Sequence, residues 1–310
     1  MPDSPSKRQV FLQRLGSTIG LWTIVLLALF APNPDLAHGA FALIVAILGI
    51  LAYREYADLV ERTTATIFRV PAIVAGLAFL AFELGWGQDA LATAAAIGTP
   101  SATETVHTTV ILQTGTHTTL IPALLLLWLT TLKLRSAGRV PLASLALTFF
   151  GWFYVFGLLS FIAKIYYLPS VSGSWFLLYF ILVTKFSDLG AYLTGSLFGK
   201  HKMAPKISPG KTWEGFGGAL LVSLLVSLIT VYASGSALAP LRGIHAVVLG
   251  LLLSALAVAG DLVESLMKRE TGAKDSGALF PGIGGCLDLV DSLLFNAPIF
   301  YLYCRLTVIG

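Results

Sequence analysis

The residues best placed to do chemistry lie between positions 260 and 292. Asp261, Glu264, Ser265 and Lys268 follow the spacing i, i+3, i+4, i+7. On a helix they share one face, which presents two acids, a hydroxyl and an amine. Asp288 and Asp291 repeat the i, i+3 spacing at the start of the last apolar run. Between the two acidic pairs lie Arg269, Lys274, Asp275 and the turn Pro281-Gly282-Ile283-Gly284-Gly285. Carboxylates at the border of a hydrocarbon layer are costly unless they are paired or hold a metal. Pairing of Asp261 or Glu264 with Lys268 or Arg269 would meet that need, but it leaves the glycine turn unexplained. A divalent-metal site accounts for both features. Mg²⁺ takes one or two carboxylates together with substrate phosphates, and nearby Lys and Arg neutralise the same phosphates.

Two further polar groupings precede this stretch. Lys185, Asp188 and Tyr192 fall on one helical face inside an apolar run, either as an internal ion pair or as a polar wall of the site. Residues 199–215 carry Lys200, Lys202, Lys206 and Lys211 among Pro205, Ser208, Pro209, Gly210 and Thr212. This segment reads as a basic surface loop facing anionic lipid or phosphate. Its Gly210-Lys211-Thr212 ending does not make a P-loop, because Pro205 stands where that motif needs its first glycine.

The elements that must position these groups are membrane helices. The chain has 310 residues, of which 56 % are apolar and 12 % charged, and its mean hydropathy is +0.83. Soluble domains carry about 25 % charged residues. The composition therefore excludes a soluble enzyme, a nucleic-acid binder and a disordered scaffold. It leaves an all-α polytopic membrane bundle. Nine spans are expected, at about 15–31, 38–53, 70–86, 119–134, 140–163, 174–196, 215–233, 243–262 and 288–308. The first resembles a signal peptide, but further spans follow without a processing break, so it reads as an uncleaved helix.

With the N-terminus inside, sixteen of the twenty Lys and Arg residues fall in inner segments and three in outer ones, with Lys185 within a span. This bias sets the expected orientation. The active loops then face the cytoplasm and the expected location is the cell inner (plasma) membrane. The outer stretch around 87–118 is Thr-rich, and its His107 and His117 are too few to make a zinc site. Cys286 and Cys304 form neither a disulfide framework nor a metal-ligand spacing. The chain divides into residues 1–170, a scaffold of lipid-facing helices, and residues 171–310, helices with catalytic loops on the inner face. A transporter is disfavoured, because no repeated halves with paired broken helices are present.

At these residues the sequence resembles the phosphatidate cytidylyltransferases, or CDP-diacylglycerol synthases. That family's signature runs S-x-x-K-R, four residues, K-D, five residues, P-G-H-G-G, two residues, D-R-x-D. Ser265, Lys268, Arg269, Lys274, Asp275, Pro281, Gly282, Gly284, Gly285, Asp288 and Asp291 fall on it without a gap. The stretch from Asp188 to Gly215 is also similar, whereas the N-terminal half matches mainly in its span pattern. Ile283 and Leu289 stand where the signature has histidine and arginine.

The resemblance implies condensation of CTP with phosphatidate to CDP-diacylglycerol and pyrophosphate, with Mg²⁺ or another divalent cation as cofactor. It implies Asp261 and Asp288 as metal ligands, with Asp291 beside them. Lys211, Lys268, Arg269 and Lys274 become phosphate contacts, Ser265 and Asp275 orient the loop, and Asp188 is a further substrate-side candidate. CTP, phosphatidate and the bilayer are the expected partners, a homodimer is left open, and nucleic acid is not expected. The same chemistry on another lipid phosphate, and a non-catalytic relative that binds nucleotide or lipid, remain alternatives.

Overall fold

A computed structural model describes residues 7–96, 120–135, 141–273, 275–277, 279–280 and 284–309. Lys274, Pro281, Gly282, Ile283, His107 and His117 lie outside the described residues. The helices are α1 (Lys7–Phe30), α2 (Pro34–Val60), α3 (Arg69–Ala96), α4 (120–135), α5 (Leu142–Tyr166), α6 (Gly173–Phe198), α7 (Trp213–Ala233), α8 (Ile244–Glu270) and α9 (Cys286–Val308). Each of the nine expected stretches overlaps one of them. Among the described residues six of them, α2 and α5–α9, are long and apolar enough to cross a membrane, and Gly16–Phe30 is a shorter apolar helix. Leu27, Leu43, Leu126, Leu225 and Ile229 stand exposed on the outside of the bundle, where lipid covers them. The protein is a polytopic helical membrane bundle.

Residues 199–215, expected as a loop, contain a small antiparallel hairpin, β1 (Lys202–Ala204) and β2 (Ser208–Thr212). Glu214 closes its base by accepting from the amides of Lys200 (3.1 Å) and His201 (3.2 Å) and pairing with His201 Nδ1 at 2.6 Å. Thr212 then caps α7, its Oγ1 accepting from Gly215 N at 3.1 Å. This local hydrogen bonding is what turns a lysine-rich segment into a fixed arm.

Helices α6–α9 are joined by side-chain hydrogen bonds between buried groups. Tyr179 meets Ser227 at 2.7 Å and Ser187 meets Ser254 at 2.8 Å. Asn296 Nδ2 donates to Thr184 Oγ1 at 3.0 Å and to the Leu253 carbonyl at 2.9 Å. Small residues let these backbones approach: a Cβ on Gly190 would stand 2.8 Å from the Gly218 carbonyl, and one on Gly260 would stand 2.8 Å from Phe295 Cβ. The N-terminal helices pack differently. Phe156 fills the space left by Gly49 and Gly76, Tyr56 lies against Gly151, and Phe41 stacks on Tyr166 at 4.1 Å between ring centroids. α5 carries a π-turn at Phe153–Gly157, an irregularity often found near functional groups.

Candidate metal and phosphate site

α8 continues as helix past the expected end of its span, to Glu270, so Asp261, Glu264, Ser265 and Lys268 do share one helical face. It then stops at Gly272, whose φ of +67° favours a residue without a Cβ. The Ala273 amide bonds back to the Lys268 carbonyl at 2.8 Å, which closes the helix end. After the loop, Phe280 and Gly284 exchange two backbone hydrogen bonds, of 2.9 and 3.0 Å. Gly284 has φ +121°, and a Cβ there would lie 2.6 Å from Asp288 Oδ2. Only glycine fits this turn, which delivers the chain into α9.

Asp261, Glu264 and Asp291 each offer a carboxylate oxygen, and the three oxygens lie within 4.8 Å of one another. Glu264 is 1 % exposed and Asp291 6 %. Among the described residues neither Glu264 oxygen has a hydrogen-bond partner of acceptable geometry, although Lys268 Nζ forms an ion pair with Oε2 at 2.5 Å. A buried carboxylate with unfilled acceptor capacity, flanked by two more acids, is a donor set that suits a hard divalent cation.

Asp288 sits differently from its neighbours. Its Oδ1 accepts from Lys268 Nζ at 2.9 Å, and its Oδ2 from the Gly285 amide at 2.7 Å. It joins α8 to α9 and caps α9. The acid that stands with Asp261 and Asp291 is Glu264, which shared the helical face noted in the sequence without being singled out as a ligand. Helical spacing reports which residues share a face of one helix, but not how α9 is rotated against α8.

The cations converge from two elements. Lys211, on β2, pairs with Asp261 Oδ2 at 2.9 Å and donates to the Val258 carbonyl at 2.9 Å. Lys268 bridges Glu264 and Asp288. Arg269 Nε donates to the Ile207 carbonyl at 3.0 Å, which ties the hairpin to α8. Ser265 Oγ donates to Asp261 Oδ1 at 3.3 Å. Lys185 donates to Ser292 Oγ at 2.9 Å and pairs with Asp188 Oδ2 at 3.5 Å, and Ser292 Oγ donates to Asp188 Oδ2 at 3.2 Å. Asp188 is thus an internal ion-pair partner, bonded to Ser292, the residue next to Asp291. Asp275 is exposed on the loop. Leu289, at the signature's arginine position, packs partly buried against the apolar core.

Two groups from the N-terminal helices reach this region, and neither was singled out in the sequence. Glu55, near the end of α2, accepts from the Cys286 amide at 2.9 Å and the Leu287 amide at 2.8 Å. Tyr154, in the π-turn of α5, has a buried hydroxyl with no hydrogen-bond partner among the described residues. It lies within electrostatic reach of Asp291, Glu264 and Asp261. The only sequence signal for Glu55 was a carboxylate at the end of an apolar helix, a position that calls for a partner.

Comparison with known proteins adds the family. The profile of the Cytidylyltransferase family matches residues 12–307. Phosphatidate cytidylyltransferase of Haemophilus influenzae is 45 % identical over 133 residues, covering 42 % of this chain and 46 % of that protein. The protein of the same name from Staphylococcus haemolyticus is 43 % identical over 135 residues, covering 43 % and 50 %. Uncharacterized protein YnbB of Escherichia coli K12 is 40 % identical over 160 residues, covering 51 % and 52 %. The chain spans about half the length of these curated relatives.

Proposed function

Because the chain belongs to the Cytidylyltransferase family, we propose that it transfers the cytidylyl group of CTP to phosphatidate, forming CDP-diacylglycerol and pyrophosphate. The observation that carries this is the meeting of Asp261, Glu264 and Asp291 beside Lys211 and Lys268 at one end of a membrane bundle. Such a site suits a reaction between a lipid phosphate and a soluble nucleotide. The relatives named phosphatidate cytidylyltransferase support the choice of substrates.

A phosphate oxygen of the lipid attacks the α-phosphorus of CTP. The bond from that phosphorus to the bridging oxygen breaks, and pyrophosphate leaves with the electron pair. No covalent enzyme intermediate is required. Asp261, Glu264 and Asp291 would hold Mg²⁺ or another divalent cation, which supplies charge stabilisation on the phosphates when bound. Lys211 and Lys268, now paired with the carboxylates, are positioned to turn toward phosphate oxygens, and Arg269 and Lys274 add positive charge at the loop. Asp288 acts by orienting Lys268 and the first turn of α9. Ser265 and Asp188 hold Asp261 and Ser292, and Asp275 belongs to the loop between the two acidic helices. The buried Tyr154 hydroxyl, without a partner among the described residues, is left to donate to a phosphate oxygen of bound substrate.

In this reading the helices after residue 171 carry the site, and those of 1–170 enclose and brace it. The basic bias of the loops supports an N-terminus inside, with the site on the cytoplasmic face of the bacterial inner membrane. A second reading keeps the chemistry but changes the lipid phosphate. It is favoured by Leu289, which offers no side-chain donor where the signature has arginine.

Purified protein is given radiolabelled CTP, Mg²⁺ and, in turn, phosphatidate and other lipid phosphates. Label in the lipid fraction with phosphatidate, matched by an equal amount of pyrophosphate, is the expected result. Label only with a different lipid phosphate selects the second reading. No labelled lipid from any of them overturns both.

A further inference from the structure

Three consecutive amides at the opening of α9 are taken by carboxylates. Asp288 accepts from Gly285 N at 2.7 Å, and Glu55 accepts from Cys286 N at 2.9 Å and Leu287 N at 2.8 Å. Unpaired amides and a positive helix end usually make such a terminus a landing place for phosphate. Here the side chain of Glu55 fills that place. It reaches there from α2, more than 200 residues away in the chain.

The surrounding residues are shaped around this carboxylate. Ser276 Oγ donates to Glu55 Oε2 at 3.5 Å. A Cβ on Gly277 or on Gly285 would collide with the Glu55 carboxylate oxygens. Two glycines of the loop are therefore needed for close approach to one side chain of another helix, independently of any turn. One carboxylate thus grips both ends of the segment that leads from the loop into α9, the helix that carries Asp288 and Asp291.

We infer that Glu55 is a positioning residue for the site: it fixes the first turn of α9 so that Asp291 meets Asp261 and Glu264. This inference rests on the proposed cytidylyl transfer only for its activity readout. Its metal readout stands alone. Because the Gly285, Cys286 and Leu287 amides are held by protein carboxylates, substrate phosphates are left chiefly to the side chains of Lys211 and Lys268.

The variants Glu55→Gln and Glu55→Ala test this in the full chain, purified in detergent. Gln keeps the shape and one acceptor oxygen but presents an NH2 group to the second amide, while Ala removes both acceptors. Mn²⁺ binding, followed by electron paramagnetic resonance, should weaken at least fivefold in Glu55→Gln and further in Glu55→Ala, with thermal unfolding still cooperative. With CTP and phosphatidate, kcat should fall roughly tenfold or more and KM for CTP should change by less than about threefold, because Glu55 acts on the carboxylate geometry rather than on the nucleotide.

If wild type binds Mn²⁺ but transfers no cytidylyl group, the proposed reaction fails while the metal comparison still decides the role of Glu55. Wild-type Mn²⁺ affinity in folded variants, or variants that all fail to fold, overturns the inference. The first outcome would make Glu55 dispensable for the site, and the second would make it a fold-holding residue only.

Discussion

Along α6–α9 the helices are closed by hydrogen bonds between side chains, such as Tyr179 to Ser227, Ser187 to Ser254 and Asn296 to Thr184. Along α2, α3 and α5 rings fill the contacts, with Phe156 between Gly49 and Gly76, Tyr56 against Gly151, and Phe79 beside Trp152 at 5.4 Å, and polar contacts add to them: the Tyr56 hydroxyl donates to the Leu147 carbonyl at 2.8 Å and Lys164 pairs with Glu83 at 3.3 Å. Lipid gives apolar side chains no reason to prefer one another, so association in a membrane relies on packing and on polar contacts. Hydrogen bonds specify both rotation and register of a helix, whereas ring packing specifies mainly distance and shape. The half that carries the carboxylates ties α6 by side-chain pairs to α7, α8 and α9, whereas the Tyr56 bond of the other half runs to a backbone carbonyl. The other half contributes two polar groups across the boundary, Glu55 and Tyr154.

The sharpest break of this comparison removes charge from the strict half. Asp261→Asn, Glu264→Gln and Asp291→Asn should each lower cytidylyl transfer by roughly a thousandfold or more, since a lost metal ligand costs several kcal/mol of transition-state stabilisation. Asp288→Asn should cost less, roughly tenfold to a hundredfold, because the amide retains an acceptor for Lys268 or Gly285 N. Rates measured at saturating Mg²⁺ and CTP separate the two groups. If Asp288→Asn inactivates and Glu264→Gln does not, the ligand set is the pair Asp261 and Asp288 that the family resemblance implies.

That contrast marks where the sequence is legible. The face carrying Asp261, Glu264, Ser265 and Lys268 could be read because helical periodicity is local, and the nine helical stretches because apolar runs are long. The rotation of α9 relative to α8 could not be read. It is set by Gly260 against Phe295, by Asn296, and by the Lys268–Asp288 ion pair, all contacts between segments far apart in the chain. The hairpin escaped notice because its cause is Glu214, a residue beyond the lysines, gathering amides and His201. Glu55 stands among Arg54, Asp58 and Glu61 at the end of an apolar run, where nothing local names its partners 231 and 232 residues later.

A second test compares the hairpin with the helices it touches. Lys211 reaches the carboxylates from β2, and its ammonium is shared between Asp261 and the Val258 carbonyl. Lys211→Met keeps most of the side-chain volume and removes the charge. A hydrogen bond to a charged phosphate is worth about 1.5–3 kcal/mol, so kcat/KM for CTP should fall roughly tenfold to a hundredfold. The change should fall mainly on KM if Lys211 binds ground-state phosphate, and on kcat if it stabilises charge on the departing pyrophosphate. A kcat/KM within twofold of wild type would mean that the hairpin only covers the site.

The smallest expected effect comes from the ring-packed half and is informative in its sign. Tyr154 stacks on Phe150 at 5.9 Å, and its hydroxyl is buried without a hydrogen-bond partner among the described residues. Burying an unsatisfied hydroxyl costs about 1–3 kcal/mol. Tyr154→Phe removes that cost and leaves the ring in place, so thermal stability without ligand should be unchanged or higher. If the hydroxyl finds its partner on a substrate phosphate oxygen, the same variant loses one bond to a charged group in the working state, and kcat should fall roughly tenfold. Stability and turnover would then move in opposite directions, as they do where a site stores an unfavourable arrangement for use in catalysis. A variant that is more stable and equally active would show that Tyr154 serves the bundle alone, and Glu55 would then be the one polar group examined by mutation through which the ring-packed half acts on the chemistry.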